Sequence, residues 1–133
     1  MVLCKEAGAK RALPLNVSVP SHCALMGPAA EQLQAELDRV QFNSPLIPVV
    51  QNVNAQICED PNLIKENLIK QLYTPVLWVD SIKCMGVNGV EKILECGPGK
   101  VLSGLIRRIE PDISCFTSEA PEGLARALAE LSS

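Results

Sequence analysis

The chain has 133 residues, about the length of one domain, and a domain of that size can bury roughly two thirds of the surface that its unfolded chain exposes. Its content of 47% apolar and 20% charged residues excludes disordered and fibrous proteins. A formal net charge of −3, scattered basic residues and 3% aromatic residues argue against nucleic acid as a partner. No apolar stretch reaches the roughly 20 residues that a transmembrane helix needs, so no membrane partner is expected.

The first half of the chain alternates between predicted helices and predicted strands. Residues 3–10 resemble the end of a helix, and residues 12–19 predict a strand. Apolar residues recur at steps of three and four over residues 24–40, which predicts an amphipathic helix with Ser21 as its N-cap. The β-branched run at residues 47–53 predicts a second strand.

The second half continues the alternation. Asp60-Pro61 opens a helix, because the missing N–H of proline costs nothing at the first helical position. We predict helices at residues 61–72, 76–85, 100–109 and 121–131 and strands at residues 90–96 and 113–117. Strands that alternate with helices predict an α/β fold, with a mostly parallel sheet flanked by helices.

The six cysteines are widely spaced, with no C-x-x-C pair, and the chain holds a single histidine. This pattern argues against a zinc site, and we expect neither a metal nor a cofactor. Because no signal segment precedes the first helix, we interpret the cysteines as reduced, buried thiols of a cytoplasmic protein.

The histidine, His22, follows a predicted strand and precedes a predicted helix, which is where open α/β sheets place functional groups. A turn histidine bonded to nearby backbone and a catalytic histidine both fit this position. Cys23 is a weak candidate for a nucleophile, because adjacent residues on a strand or helix rarely point at each other. Ser21 fits a helix cap better than a nucleophile.

Acyl transfer by serine in such a fold usually needs a G-x-S-x-G turn, and the 133 residues contain none. Ser103 lies inside a predicted helix instead. The run Gly97-Pro98-Gly99-Lys100 resembles a phosphate loop but lacks the Walker spacing, so a tight strand-to-helix connection is favoured over an anion site. If His22 is a general base, its nucleophile lies outside these residues.

Five blocks of sequence, in order and with matching spacing, resemble malonyl-CoA:acyl carrier protein transacylases. They are KEAGAKR (5–11), LPLNVSVPSHCALM (13–26), PVVQNV (48–53), QLYTPVLW (71–78) and ECGPGKVLSGL (95–105). The resemblance covers nearly the whole chain and implies the C-terminal portion of this bacterial family. Residues 21–133 would belong to its large α/β-hydrolase-like acyltransferase subdomain, and residues 1–20 would be the tail of its small ferredoxin-like subdomain.

The resemblance implies a transferase of fatty acid biosynthesis that moves malonyl from coenzyme A to acyl carrier protein. The coenzyme A thioester would be a substrate, not a cofactor. His22 matches the family's general base and acid, and Gln71 matches the position whose backbone carbonyl orients that histidine. Because this role uses the carbonyl, Gln71→Ala is expected to be tolerated. The serine and the carboxylate-binding arginine precede the matching portion, so the 133 residues alone are predicted to be inactive.

The alternative is a non-catalytic remnant or interaction module that binds acyl carrier protein or a complementary N-terminal fragment. Lys100, Arg107 and Arg108 are candidate contacts for the acidic carrier protein, although ordinary solvated helix charges are the favoured interpretation. Apolar surface left by the absent strands predicts self-association or instability of the chain.

Overall fold

The computed structural model describes residues 1–14 and 19–131, which form helices and a small sheet. The helices are α1 (Val2–Glu6), α2 (Gly27–Leu37), α3 (Pro61–Lys70), α4 (Trp78–Val87), α5 (Val101–Ile109) and α6 (Pro121–Leu131). A 3-10 turn at Ala24–Met26 leads into α2. The strands are β1 (Lys92–Glu95) and β2 (Ser114–Thr117).

Strands β1 and β2 lie side by side and run parallel, with Lys92 opposite Ser114 and Glu95 opposite Thr117. Helix α5 connects them, as a parallel pair requires. The predicted α/β fold is confirmed. The sheet has two strands in the described part of the chain, whereas four were predicted.

The main core lies among α4, α5 and this sheet. Ile82 of α4, Ile106 of α5 and Ile113 before β2 form its buried centre. Partly buried side chains pack around them: Trp78, Met85, Ile93, Ile109 and Cys115. Trp78, Ile82 and Met85, which recur at steps of four and three along α4, therefore form the face that the helix buries.

Helix α3 begins where the sequence predicts. The Asp60 carboxylate accepts hydrogen bonds from the N–H groups of Asn62 and Leu63, at 2.8 and 3.4 Å, and Pro61 occupies the first turn. Helix α2 packs against α3, and an ion pair of 2.7 Å joins Asp38, just after α2, to Lys65 of α3. This pair of helices brings the histidine segment to the end of α3.

The predicted strand at residues 47–53 is wrong. Only Val50 pairs there, in an isolated antiparallel bridge with Ile57. Between them the chain turns tightly, with the Gln51 N–H bonded to the Gln56 carbonyl and the Ala55 N–H to the Gln51 carbonyl, each at 2.9 Å. A β-branched run becomes a strand only where a neighbouring strand satisfies its backbone groups, and among the described residues it has none.

Two predictions near the histidine also change. Residues 12–14 are not in a strand, and residues 15–18 of the predicted strand 12–19 lie outside the described residues. Ser21 is not an N-cap, because the 3-10 turn intervenes and α2 begins six residues after Ser21, at Gly27, with Pro28 in its first turn. The division of the chain at residue 20 stays a prediction.

The cysteines are less buried than predicted. All six are free thiols, but only Cys58 is buried, whereas Cys4 and Cys96 are exposed. Burial raises the pKa of the partly buried Cys115, although Arg107 opposes the shift. A thiol with a raised pKa is a poor nucleophile at neutral pH.

The chain exposes a large apolar surface. Its accessible area is 9849 Å², whereas a compact monomer of this mass exposes roughly 6,800 Å². Large apolar side chains contribute to the excess, with Leu46, Val87 and Leu3 exposed by 101%, 88% and 79%. The core described above is therefore small for the length of chain that surrounds it.

Candidate active site

His22 lies in the turn before the 3-10 helix and is held at two points by the end of α3. Its Nδ1 is 2.7 Å from the carbonyl oxygen of Gln71. Its backbone N–H donates to the carbonyl of Leu72 at 3.0 Å. Both carbonyls belong to the turn that directly follows α3, where carbonyl groups have no intrahelical partner and are free to accept. The His22 turn and the end of α3 are thus joined by one side-chain and one backbone hydrogen bond.

The hydrogen bond to Gln71 fixes the tautomer of the ring. A carbonyl can only accept, so the neutral imidazole carries its hydrogen on Nδ1 and leaves the lone pair of Nε2 free. The side chain of His22 is exposed, so Nε2 is open to a reacting group. This arrangement supplies a general base whose orienting group is a peptide carbonyl in place of the carboxylate of a Ser-His-Asp triad.

The backbone of His22 is left-handed, with φ of 60°. A non-glycine residue there costs roughly 1–2 kcal/mol, although histidine tolerates this region better than most residues. Strain of this kind is common at functional sites, where surrounding contacts hold the residue in place. The two hydrogen bonds to the end of α3 are those contacts.

The neighbours of His22 do not form a catalytic pair with it. The thiol of Cys23 donates to the carbonyl of Pro20, at a distance of 3.1 Å. The Ser21 N–H bonds to the carbonyl of Val19 at 2.9 Å. The thiol of Cys23 and the backbone of Ser21 are therefore bonded within the turn.

Glu95 is a well-bonded carboxylate that the sequence reasoning missed. It accepts hydrogen bonds from the N–H groups of Leu102 and Ser103, at 3.1 and 2.8 Å, and from the Ser103 hydroxyl at 2.6 Å. The bonds from Ser103 hold the pKa of Glu95 below its ordinary value. The signal available in the sequence was an acidic residue at the end of a strand, directly before a glycine-rich turn into a helix.

The first turn of α5 is consequently occupied by the protein's own carboxylate. An anion would have to displace Glu95 to reach those N–H groups. Ser103 is buried and bonded to Glu95, so it is a structural residue and not an exposed nucleophile. The glycine-rich run before α5 is the strand-to-helix connection that the sequence favours.

The basic residues proposed as carrier-protein contacts separate into two groups. Lys100 and Arg107 line one pocket between α5, β2 and α6, together with Arg126. Arg108 is exposed and does not line it. The ion pairs found in the described residues include none of these four cations.

Within residues 1–14 and 19–131, no group of three or more histidine, cysteine, aspartate or glutamate side chains is arranged to hold a metal ion. Over the same residues, no helix has both the length and the apolar character needed to cross a membrane.

Comparison with protein-family models gives no match. Individual proteins do match. Malonyl CoA-acyl carrier protein transacylase of Escherichia coli K12 is 50% identical over 125 residues, which are 94% of this chain and 40% of that protein. The chain thus spans about two fifths of the length of the curated relatives that it matches.

Solved structures agree with these relatives. The crystal structure of malonyl-CoA:acyl carrier protein transacylase from Xanthomonas oryzae superimposes with a TM-score of 0.91 at 42% identity, over 97% of this chain and 41% of that one. A malonyl-transacylase in complex with a type II polyketide synthase acyl-carrier protein has a TM-score of 0.89 at 46% identity, over 96% and 41% of the two chains. The predicted resemblance is therefore confirmed: in sequence and in fold, the chain matches a portion of malonyl-CoA:acyl carrier protein transacylases.

Proposed function

We propose that the chain is the histidine-bearing portion of a malonyl-CoA:acyl carrier protein transacylase that acts in fatty acid biosynthesis in the cytoplasm. The observation that carries the proposal is the 2.7 Å contact between His22 Nδ1 and the Gln71 carbonyl, which leaves Nε2 free on an exposed ring. The chain provides this geometry in a segment that matches transacylases at about 50% identity.

In the proposed reaction His22 serves a serine from another part of the transacylase. Nε2 takes the proton of the serine hydroxyl as its oxygen attacks the thioester carbonyl of malonyl-CoA. The tetrahedral intermediate then expels coenzyme A thiolate, which receives that proton from the imidazolium. The products of this half-reaction are free coenzyme A and a malonyl-serine ester.

The second half-reaction uses the same groups in reverse. Nε2 removes the proton of the phosphopantetheine thiol of acyl carrier protein, and the thiolate attacks the malonyl-serine ester. The serine oxygen leaves and takes the proton back from the imidazolium. Throughout both halves the Gln71 carbonyl keeps the hydrogen on Nδ1 and stabilises the charged ring, as the aspartate does in a Ser-His-Asp triad.

A chimaeric enzyme, called the graft below, tests this proposal. Residues 5–131 would replace the matching two fifths of the Escherichia coli transacylase, and malonyl transfer to carrier protein would be followed by mass spectrometry. We expect the graft to be active, the His22→Ala graft to lose about 10²–10⁴-fold in rate, and the ungrafted 133-residue chain to be inactive. A Cys23→Ala graft is the matched control and should retain its rate.

Two outcomes would contradict the proposal. One is a His22→Ala graft as fast as the Cys23→Ala control. The other is malonyl transfer by the isolated chain above that of its own His22→Ala variant, since the nucleophile would then lie within the 133 residues.

A second candidate function is binding of acyl carrier protein without catalysis. It is favoured by the pocket that Lys100, Arg107 and Arg126 line together, because acidic partners are recognised by clustered cations. Titration of carrier protein against the isolated chain by NMR tests it. Shift changes confined to this pocket and weakened by Arg107→Glu would support it, and unchanged spectra at millimolar concentration would exclude it.

A further inference from the structure

Gln71 makes a second contact, through its side chain. The Nδ2 of Asn52 donates to the Oε1 of Gln71 at 3.3 Å. The carbonyl of the same Asn52 accepts the N–H of Leu77 at 2.9 Å, just before α4. Asn52 therefore bridges the residue that holds His22 and the segment that starts the next helix.

The segment that carries Asn52 is itself well fixed. On one side of it, Gln51 is 8% exposed and exchanges backbone hydrogen bonds with Gln56 and Ala55, each at 2.9 Å. On the other, Ala55 is 4% exposed and left-handed, with φ of 54°. A tight turn with two buried residues gives Asn52 a stable base, although the Asn52 side chain is exposed.

The last turn of α3 needs such a support. Beyond Lys70 the chain leaves the helix, and the carbonyl of Gln71 is not fixed by an intrahelical hydrogen bond. The N–H of the same peptide, on Leu72, bonds to the Ile69 carbonyl at 3.2 Å, and the Asn52 amide adds a contact from another segment through the Gln71 side chain.

We propose that Asn52 is a positioning residue for His22. Through the Gln71 side chain it fixes the peptide whose carbonyl receives the Nδ1 hydrogen, and so favours the tautomer with a free Nε2. Asn52 does not touch the ring. The inference rests on the proposed function for its catalytic consequence, but its structural part concerns the isolated chain. It also revises the expectation that Gln71→Ala is tolerated, which considered the carbonyl alone.

The single histidine makes the inference directly measurable. The ring ¹⁵N spectrum of the 133-residue chain reports one imidazole, and the two nitrogen shifts give its tautomer ratio. We expect Asn52→Ala and Gln71→Ala each to lower the ratio of the Nδ1–H to the Nε2–H form by about two- to tenfold, the range for loss of one net hydrogen bond. The double variant should lose no more than either single variant.

Asn62→Ala is the matched control, because Asn62 is an exposed asparagine at the start of α3, at the opposite end of that helix from Gln71. Asn52→Ala keeps the carbonyl that bonds Leu77, and Trp78 fluorescence checks that the fold is retained. In the graft, Asn52→Ala should lower kcat by the same two- to tenfold at unchanged KM.

The inference is overturned if the tautomer ratio of Asn52→Ala equals that of Asn62→Ala, or if the effects of the two single variants add in the double variant. Because the NMR measurement needs no activity, it separates this inference from the proposed function. If the graft is inactive but Asn52→Ala shifts the tautomer ratio, the proposed function is refuted and the positioning role is kept. If the graft is active but Asn52→Ala leaves the ratio unchanged, the function is kept and the positioning role is refuted.

Discussion

The left-handed backbone of His22 predicts that glycine at this position is more stable than alanine. His22→Ala removes the side-chain hydrogen bond to Gln71 and keeps the steric cost of φ 60°. Loss of one exposed hydrogen bond destabilises by about 1 kcal/mol. His22→Gly loses the same bond but removes about 1–2 kcal/mol of strain, of which about 0.4–1 kcal/mol is offset by the greater freedom of the unfolded chain.

We therefore expect a free energy of unfolding about 1 kcal/mol lower for His22→Ala and nearly unchanged for His22→Gly. Urea unfolding followed by the fluorescence of Trp78, which packs against the core and is the only tryptophan, measures both. An alanine variant as stable as the glycine variant would show that the backbone at His22 is not strained, and the reasoning would fail. Both variants should be equally inactive in the graft, which separates stability from catalysis.

Three further predictions concern the scaffold. Gly123→Ala should destabilise by about 1–3 kcal/mol, because a Cβ there would lie 2.7 Å from the carbonyl oxygen of Thr117. Its matched control is Gly104→Ala, whose Cβ would meet no atom within 4 Å and which should stabilise α5 by about 0.5–1 kcal/mol. Urea unfolding measures the free energy of unfolding of both variants, and a change of the same sign in both would contradict this packing. Because the pKa of Glu95 is lowered in the fold, its contribution is present above the unfolded value of 4.5 and lost as pH falls below it. Glu95→Gln should therefore lower the melting temperature at pH 7 and reduce the decrease of the melting temperature between pH 5 and pH 3. A variant whose melting temperature decreases over this range as much as that of the unmodified chain would refute the role of the Ser103 contacts. Finally, the excess of surface over a compact monomer predicts that the isolated chain self-associates or unfolds readily, which a monodisperse, cooperatively unfolding monomer in light scattering and calorimetry would contradict.

Local patterns were enough to predict most helices. Asp60 and Pro61 mark the start of α3 by chemistry that does not depend on the rest of the fold. Helix α6 begins at Pro121 and ends at Leu131, as its composition predicts. The two strands that pair with each other were also found. The run at residues 47–53 was misassigned because strand formation depends on a distant partner, which a local pattern does not contain.

The site could be predicted only in part. The sequence blocks pointed to His22 and Gln71, and the structure brings them to 2.7 Å, but their catalytic roles stay predictions. The left-handed turn at His22 was not foreseen, because a histidine in a turn gives no signal of its φ angle. The Asn52 contact was missed for a related reason: side-chain pairs between distant segments follow from tertiary packing and not from spacing.

The central claim is that His22 is a general base for a serine supplied by another part of the transacylase. The most direct measurement is the first half-reaction alone: the graft is mixed with malonyl-CoA, without carrier protein, and its intact mass is followed in time. We predict rapid gain of one malonyl group on the serine, slowed about 10²–10⁴-fold by His22→Ala and unaffected by Cys23→Ala. Malonylation of the His22→Ala graft at the rate of the unmodified graft would contradict it.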